Sequence, residues 1–110
     1  MNILPRVSEV IIPIEKFTRY ALNPDKDRDK AIAFDRALGY NLDNVGHLIS
    51  QIRNCLPLFP ATKKGNIGYG DRYEVILDIT GIHGKTAKVL TGWIDDASNG
   101  EMRLTTIHVD

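Results

Sequence analysis

The chain has 110 residues, of which 43% are hydrophobic and 25% are charged, the size and composition of one folded domain. These values exclude a disordered, fibrous or low-complexity chain. Fourteen basic side chains balance fourteen acidic ones, so no overall positive charge attracts RNA or an anionic membrane, and any site for a polyanion must be local. We therefore expect a single domain over residues 1–110.

The first half of the chain carries helical patterns. A short apolar run ends at Pro13, after which residues 14–22 fit a short helix. A break at 23–25 is followed by a segment with acidic residues in its first turn and a glycine stop at Gly39, which predicts a helix. Its apolar residues at helical spacing are Ala31, Phe34, Ala37 and Leu38.

The clearest helical pattern follows the polar stretch 41–44, whose Asn and Asp side chains are expected to cap the next helix. The apolar residues that repeat along one face of this helix are Val45, Leu48, Ile49, Ile52 and Leu56. Pro57 ends the helix, and Cys55 is expected to pack within it as a small apolar side chain. Residues 61–71 contain three glycines and no apolar periodicity, which predicts a loop.

In the second half the hydrophobic period changes to two residues, which is typical of strands. The pattern predicts strands over 72–80, 85–94 and 102–109, separated by turns. For Leu77 and Val89 to share one face, the first connection needs an odd length or a bulge, which we expect near Gly81 or Gly84.

Helices followed by antiparallel strands predict an α+β fold, with the N-terminal helices packed on one face of a C-terminal sheet of three to four strands. Helix 45–56 is expected to lie on the apolar face, against Val75, Leu77, Val89 and Trp93. The other face is expected to stay open. Its predicted occupants are Glu74, Asp78, Thr86 and Lys88.

Several classes of protein lack support in this sequence. It carries no glycine-rich nucleotide loop, no HExxH or GxSxG enzyme motif and no paired cysteines, and its three histidines are scattered, so we predict no metal site and no cofactor. The single Cys55 cannot form an internal disulfide, and no leader or membrane-spanning run is evident. We therefore expect a cytoplasmic protein without a membrane partner.

The segment GIHGKTAK combines an imidazole, two ammonium groups and a hydroxyl with two glycines. These side chains are His83, Lys85, Thr86 and Lys88. Histidine can transfer a proton near neutral pH, and lysine can stabilise charge that develops on a phosphate. A solvated hairpin tip is the simpler interpretation of the same residues.

A second polar group of residues lies in the final strand, RLTTIHV. Regular alternation places Thr106 and His108 on one face and Arg103 and Thr105 on the other, so only one pair can share a site with Lys88. The alternative is that the threonines are strand formers and the histidine is a surface residue. Among the aromatic residues, Trp93 is expected in the core, whereas Tyr69 and Tyr73 could each stack on a base or cover the apolar face.

Nearly the whole chain, and above all the segments ALNPDKDRDKAIAF, GIHGKTAKVLTGWI and RLTTI, resembles a bacterial domain family of unknown function. Members of that family are similar to nuclease toxins of the barnase, colicin and RelE type, which place N-terminal helices against a four-stranded antiparallel sheet. The resemblance implies a metal-free ribonuclease that occurs beside a small partner. This chain departs from such toxins in its charge, since they are often basic and it is neutral.

These observations lead to the hypothesis of a toxin–antitoxin ribonuclease in which a ribose 2′-hydroxyl attacks the adjacent phosphate. His83 or His108 would transfer protons, and the partners would be RNA and a small cognate antitoxin or immunity protein. The remaining candidate catalytic residues are Lys85, Lys88, Arg103 and Thr105, and the candidate RNA-binding residues are Thr86, Tyr69 and Tyr73. Two rival hypotheses are a non-catalytic protein-binding module that uses the open sheet face and a degenerate family member with a structural or regulatory role.

Overall fold

The computed structural model of the chain describes residues 1–66 and 68–110. Its helical elements are a 3₁₀ turn Val7–Glu9, a π-helical turn Phe17–Ala21, helix α1 Arg28–Leu38, helix α2 Val45–Cys55 and a 3₁₀ turn Leu56–Leu58. The strands that follow are β1 Ala61–Asn66, β2 Gly70–Thr80, β3 Thr86–Asp96 and β4 Glu101–Val109. They form one antiparallel sheet in the order β1-β2-β3-β4. The predicted α+β fold is confirmed.

Helix α1 begins and ends as its sequence predicts. The Asp27 carboxylate accepts a hydrogen bond from the Lys30 N–H at 3.2 Å, which satisfies one of the free amides of the first turn. At the other end Gly39 adopts a left-handed conformation with φ of 74°, and its N–H donates to the Asp35 carbonyl at 2.8 Å. Phe34 and Leu38 are buried on the face that meets the sheet.

Helix α2 packs against β2, and its Leu48 and Ile52 side chains are fully buried in the same core as the inner strand residues. The expected packing of this helix is confirmed for β2, the strand of Val75 and Leu77, whereas β3, the strand of Val89 and Trp93, meets α1. The expected side-chain cap is wrong at Asn44, because its side chain turns away from α2. It accepts a hydrogen bond from the Asn41 N–H at 2.8 Å and donates to the Gly39 carbonyl at 2.9 Å, which fastens the linker to the end of α1.

The loop predicted over 61–71 is wrong for most of its length, because residues 61–66 form β1 and β2 begins at Gly70. β1 is an edge strand whose side chains after Ala61 are exposed, so hydrophobic alternation is not needed there. Its lysines instead form ion pairs with β2, Lys63 to Asp71 at 3.2 Å and Lys64 to Glu74 at 3.9 Å. Ile67, which the predicted loop includes, lies outside the described residues.

The β2–β3 connection confirms the expected odd length and bulge. Five residues, 81–85, separate the two strands, and Leu77 pairs with Val89. The Gly84 N–H donates to the Gly81 carbonyl at 3.1 Å, and Gly84 itself has φ of 85°. A short turn that ends on a left-handed glycine is a common bulged hairpin, and it keeps both strands in phase.

The sheet buries its inner face under the helices, and Trp93 lies at its centre with no exposed surface. The indole Nε1–H donates to the Thr91 hydroxyl at 2.8 Å, and that hydroxyl donates to the Val75 carbonyl at 2.7 Å. Trp93 is therefore a core residue, as expected, and its polar atom is satisfied within the core.

Candidate functional site

The face of the sheet opposite the helices is open, and we call it the outer face. It consists of the alternate strand residues whose neighbours in sequence are buried against the helices. Strand pairing arranges its side chains in rows across the sheet, which are Arg72–Ile94–Arg103, Glu74–Gly92–Thr106, Ile76–Leu90–His108, Asp78–Lys88 and Thr80–Thr86. All four predicted occupants of the open face belong to these rows.

A bulge in β4 determines which of its side chains reach the outer face. Gly92 pairs with Thr106, whereas the next residue, Trp93, pairs with Leu104, so Thr105 is an extra residue. Leu104 and Ile107 are 0% and 2% exposed although they lie three positions apart, a spacing that a regular strand cannot bury on one face.

The predicted separation of Arg103 from His108 is therefore wrong, since both lie on the outer face with Thr106. Thr105 also reaches this side. A Cβ built on Gly92 would lie 2.6 Å from the Thr106 Cγ2 and 3.4 Å from the Thr105 Oγ1, so the two threonines fold over the glycine. A side chain at position 92 would displace them.

The outer face carries cations and carboxylates in alternation. Lys88 forms an ion pair with Asp78 at 3.0 Å, and Arg103 forms one with Glu101 at 2.9 Å. Arg72 is exposed and takes part in none of the ion pairs found for residues 1–66 and 68–110. Sequence reasoning missed Arg72, although its place two residues before Glu74 in an alternating strand could have shown it.

His108 is half-buried and pairs across the strands with Leu90. Lys88 is its diagonal neighbour on β3, a position that places Cα atoms about 7–8 Å apart. An imidazole thus lies near a cation on one surface, as the phosphate-cleavage hypothesis requires.

His83 lies elsewhere, at the tip of the β2–β3 hairpin. The tip is fastened to the end of α1, where the Ile82 N–H donates to the Leu38 carbonyl at 3.1 Å. A Cβ built on Gly39 would lie 3.0 Å from the His83 Cδ2, so the imidazole covers that glycine on the helix side of the sheet. The structure therefore does not bring His83 together with His108, and Lys85 stays in the exposed tip.

The two tyrosines named as candidate stacking residues differ in position. Tyr73 pairs with Trp93 and packs against the core, so its ring is not available on the outer face. Tyr69 is 73% exposed and borders a cleft of about 510 Å³ that Ile94 and Asp96 also line. Hydrogen bonds from the Ser98 side chain and backbone lower the pKa of Asp96, so the rim of this cleft is anionic at neutral pH.

Two groups with raised pKa values lie away from the outer face. Burial raises the pKa of the Cys55 thiol, and the Asp78 carboxylate raises it further. Burial also raises the pKa of the Tyr40 phenol, whose oxygen lies 2.7 Å from the Nδ1 of His47. A thiol with a raised pKa is mostly protonated at neutral pH, so Cys55 is a packing residue and a poor nucleophile.

Within residues 1–66 and 68–110, neither a metal centre nor a membrane-spanning helix is found. No group of three or more His, Cys, Asp or Glu side chains there is arranged to hold a metal ion. None of the helices in this part of the chain combines the length and the apolar character needed to cross a bilayer.

Comparison with known families gives one match. The model of a single family aligns with residues 3–110, almost the entire chain. The chain belongs to the DUF6883 family. That family is described as a domain of unknown function, so membership in DUF6883 names no reaction. No curated protein and no solved structure matches the chain. The expected resemblance to a family of unknown function is confirmed for this DUF6883 chain.

Proposed function

We propose that this DUF6883 chain is a ribonuclease whose active site is the outer face of the sheet. One observation carries the proposal: the β4 bulge places His108, Thr106 and Arg103 on the same open face, beside Lys88 and Arg72. An imidazole with a cation and a hydroxyl as neighbours, on a face that carries two further guanidinium groups, supplies what cleavage of RNA by its own 2′-hydroxyl demands.

In that reaction the ribose 2′-oxygen attacks the adjacent phosphorus and the bond from phosphorus to the 5′-oxygen breaks. The products are a 2′,3′-cyclic phosphate and a 5′-hydroxyl. One group must accept the proton of the 2′-hydroxyl, and another must donate a proton to the departing 5′-oxygen.

Two titratable groups of the outer face suit these roles. Glu74 and His108 lie on β2 and β4, with Gly92 and Thr106 between them. The carboxylate of Glu74 has its ion-pair partner Lys64 at 3.9 Å, farther than the 3.0 Å that separates Asp78 from Lys88. We assign Glu74 as the base and His108 as the acid.

The cations of the same face bind the phosphate in this proposal. Arg72 and Arg103 lie on either side of Ile94 in one row. A phosphate above this row can accept hydrogen bonds from both guanidinium groups, which bind phosphate oxygens in pairs and stabilise the charge of the transition state. Lys88 adds a cation on the far side of Leu90, next to His108.

The proposal includes a small antitoxin or immunity protein that covers the outer face in the cytoplasm. Ile76 is 39% exposed and pairs with Leu90, and the two form a small apolar centre beside the charged residues Glu74, Asp78 and Lys88. An apolar centre with a polar rim is typical of protein interfaces. The same observation favours the second candidate function, a non-catalytic module that docks a partner on this face.

The test compares two histidines of the chain in one assay. Purified wild type, His108→Gln and His83→Gln are incubated with a single-stranded RNA in the presence of a chelator. We expect His108→Gln to lose activity by about 10²- to 10⁴-fold, the usual contribution of a general acid. His83→Gln should cleave normally because His83 lies on the helix side of the sheet.

A substrate with one 2′-deoxyribose at the cut site should resist cleavage, and the products should carry cyclic phosphate. Equal loss of activity in both histidine variants would contradict the assignment of His108. Failure of the wild type to cleave any RNA would favour the docking module.

A further inference from the structure

A second polar cavity lies where β4 meets the helices. This cleft has a volume of about 240 Å³. Tyr20 lines it from the π-helical turn and Lys16 from just before that turn, Asp27 and Lys30 line it from the start of α1, and residues 105–107 from β4. We call it the edge cleft. Its lining combines the stretch 16–30 with residues 105–107, which are far apart in the sequence, so no local motif predicts it.

The position of the edge cleft follows from how the chain covers the side of β4. Before the bulge, the N-terminal segment pairs with β4: the Ile11 N–H donates to the Met102 carbonyl at 2.8 Å, and the Leu104 N–H donates to the Ile11 carbonyl at 3.0 Å. Ile11 and Arg103 form an isolated bridge there. The edge cleft opens immediately beyond this cover, at Thr105 and Thr106.

The edge cleft has more positive than negative charge available to a ligand. Lys16 is half-buried, and its ammonium takes part in none of the ion pairs or side-chain hydrogen bonds found for residues 1–66 and 68–110. Lys30 is also half-buried, with the Asp27 carboxylate 3.9 Å away. That carboxylate already caps α1 through its other oxygen. Because a partly buried ammonium without a counter-charge is costly, the edge cleft favours an anion.

The edge cleft is continuous with the outer face. Thr105 and Thr106 line the cleft, and the same two side chains fold over Gly92 on the outer face. A ligand that leaves the His108 region along β4 therefore reaches Lys16 and Lys30 after crossing the bulge. Tyr20 is 56% exposed and also lines the edge cleft, so a base of such a ligand can stack on its ring.

We propose that the edge cleft binds a backbone phosphate of single-stranded RNA, next to the phosphate that is cleaved on the outer face. This inference rests on the proposed ribonuclease function and deepens it by naming the substrate class. A cleft of about 240 Å³ has room for a phosphate and part of one nucleoside but not for a double helix. The bend in the path at the bulge also suits a flexible strand, and duplex RNA should bind poorly.

The experiment separates binding in the edge cleft from chemistry on the outer face. Binding is measured by fluorescence anisotropy with a labelled 2′-O-methyl decanucleotide, which has no free 2′-hydroxyl and cannot be cleaved. Chemistry is measured with a dinucleotide, which contains only the cleaved phosphate. The variants are Lys16→Gln, Lys30→Gln and Tyr20→Leu. The matched control is Lys26→Gln, because Lys26 is exposed just before α1 and does not line the cleft.

We expect each cleft variant to weaken decanucleotide binding by roughly 3- to 10-fold, the effect of losing one partly exposed charge contact or one stacked base. The Kd of Lys26→Gln and the dinucleotide kcat/KM of all four variants should stay at the wild-type value. Wild-type binding by the cleft variants, no binding by the wild type, or tighter binding of a duplex would each overturn the proposal.

The two proposals fail in different ways. If the wild type cleaves no dinucleotide, and the cleft variants lose decanucleotide binding whereas Lys26→Gln does not, the ribonuclease assignment is wrong and phosphate binding in the edge cleft is supported. If the wild type cleaves the dinucleotide and the cleft variants bind the decanucleotide normally, phosphate binding in the edge cleft is contradicted and the ribonuclease assignment is supported.

Discussion

At the scale of single residues, Thr91 connects the largest core side chain to the backbone of the sheet. Its buried hydroxyl accepts from the Trp93 indole at 2.8 Å and donates to the Val75 carbonyl at 2.7 Å. Thr91→Val keeps the shape of the side chain but leaves the indole N–H without an acceptor. We expect this substitution to lower the free energy of unfolding by about 1–3 kcal/mol, measured by urea denaturation.

The reason for that loss can be checked with Trp93→Phe, which removes the indole N–H. In this background Thr91→Val should cost less, because only the Val75 carbonyl then loses its partner. The double-mutant cycle should give a coupling free energy above about 0.5 kcal/mol. If the two substitutions are additive, the hydrogen bond between these side chains contributes nothing specific.

Single residues also show where sequence reasoning is reliable. Alternation along one strand is a local property and predicts Trp93 in the core, and the structure buries it completely. The surroundings of His83 depend on Gly39, which belongs to another element, and no local pattern contains that contact. The same holds for Lys16 in the edge cleft.

At the scale of elements, the β4 bulge can be removed without altering the partners of the remaining residues. Deletion of Thr105 leaves Leu104 opposite Trp93 and Thr106 opposite Gly92, which are the pairs of a regular strand. We expect the deletion variant to fold, with a near-wild-type far-ultraviolet circular dichroism spectrum. It should bind the 2′-O-methyl decanucleotide more weakly, because the edge cleft loses part of its wall.

Thr105→Ala is the matched control, since it keeps the extra residue and removes only the hydroxyl and methyl groups. It should retain more binding than the deletion. An unfolded deletion variant would show instead that the bulge is a requirement of the fold.

Elements differ in how well their sequences predict them. α2 and β2 each bury one face, so their hydrophobic periods match their structures. β1 buries almost nothing and is held by backbone pairing and by ion pairs such as Lys63–Asp71, so its sequence carries no strand period. The β4 bulge breaks the period itself, and for that reason alternation misplaced Arg103 relative to His108.

At the scale of the whole molecule, the α+β class follows from the order of helical and strand periods along the chain. The same order of elements favours an open outer face, since all the helices come from the N-terminal half of the chain and cover only one side of the sheet. The sequence predicts that the candidate site consists of polar residues of β3 and β4. It does not predict which of these residues share the outer face. The register between strands assembles the rows, and a bulge of one residue decides which side chains join them.

Charge at this scale leads to a prediction about salt. The chain has zero net charge, so RNA binding must depend on a few local cations and not on a general field. Each phosphate contact to a single strand contributes a slope of about 0.7 to the dependence of log Kd on log salt concentration. One phosphate on the outer face and one in the edge cleft give about 1.4 in total. The double variant Lys16→Gln/Lys30→Gln removes both cations of the edge cleft and should reduce the slope by about 0.7, and Lys26→Gln should leave it unchanged. Anisotropy titrations of the 2′-O-methyl decanucleotide at several salt concentrations measure this slope. A slope near zero would contradict phosphate binding, and one above about 4, typical of six or more contacts, would contradict a site confined to two phosphates.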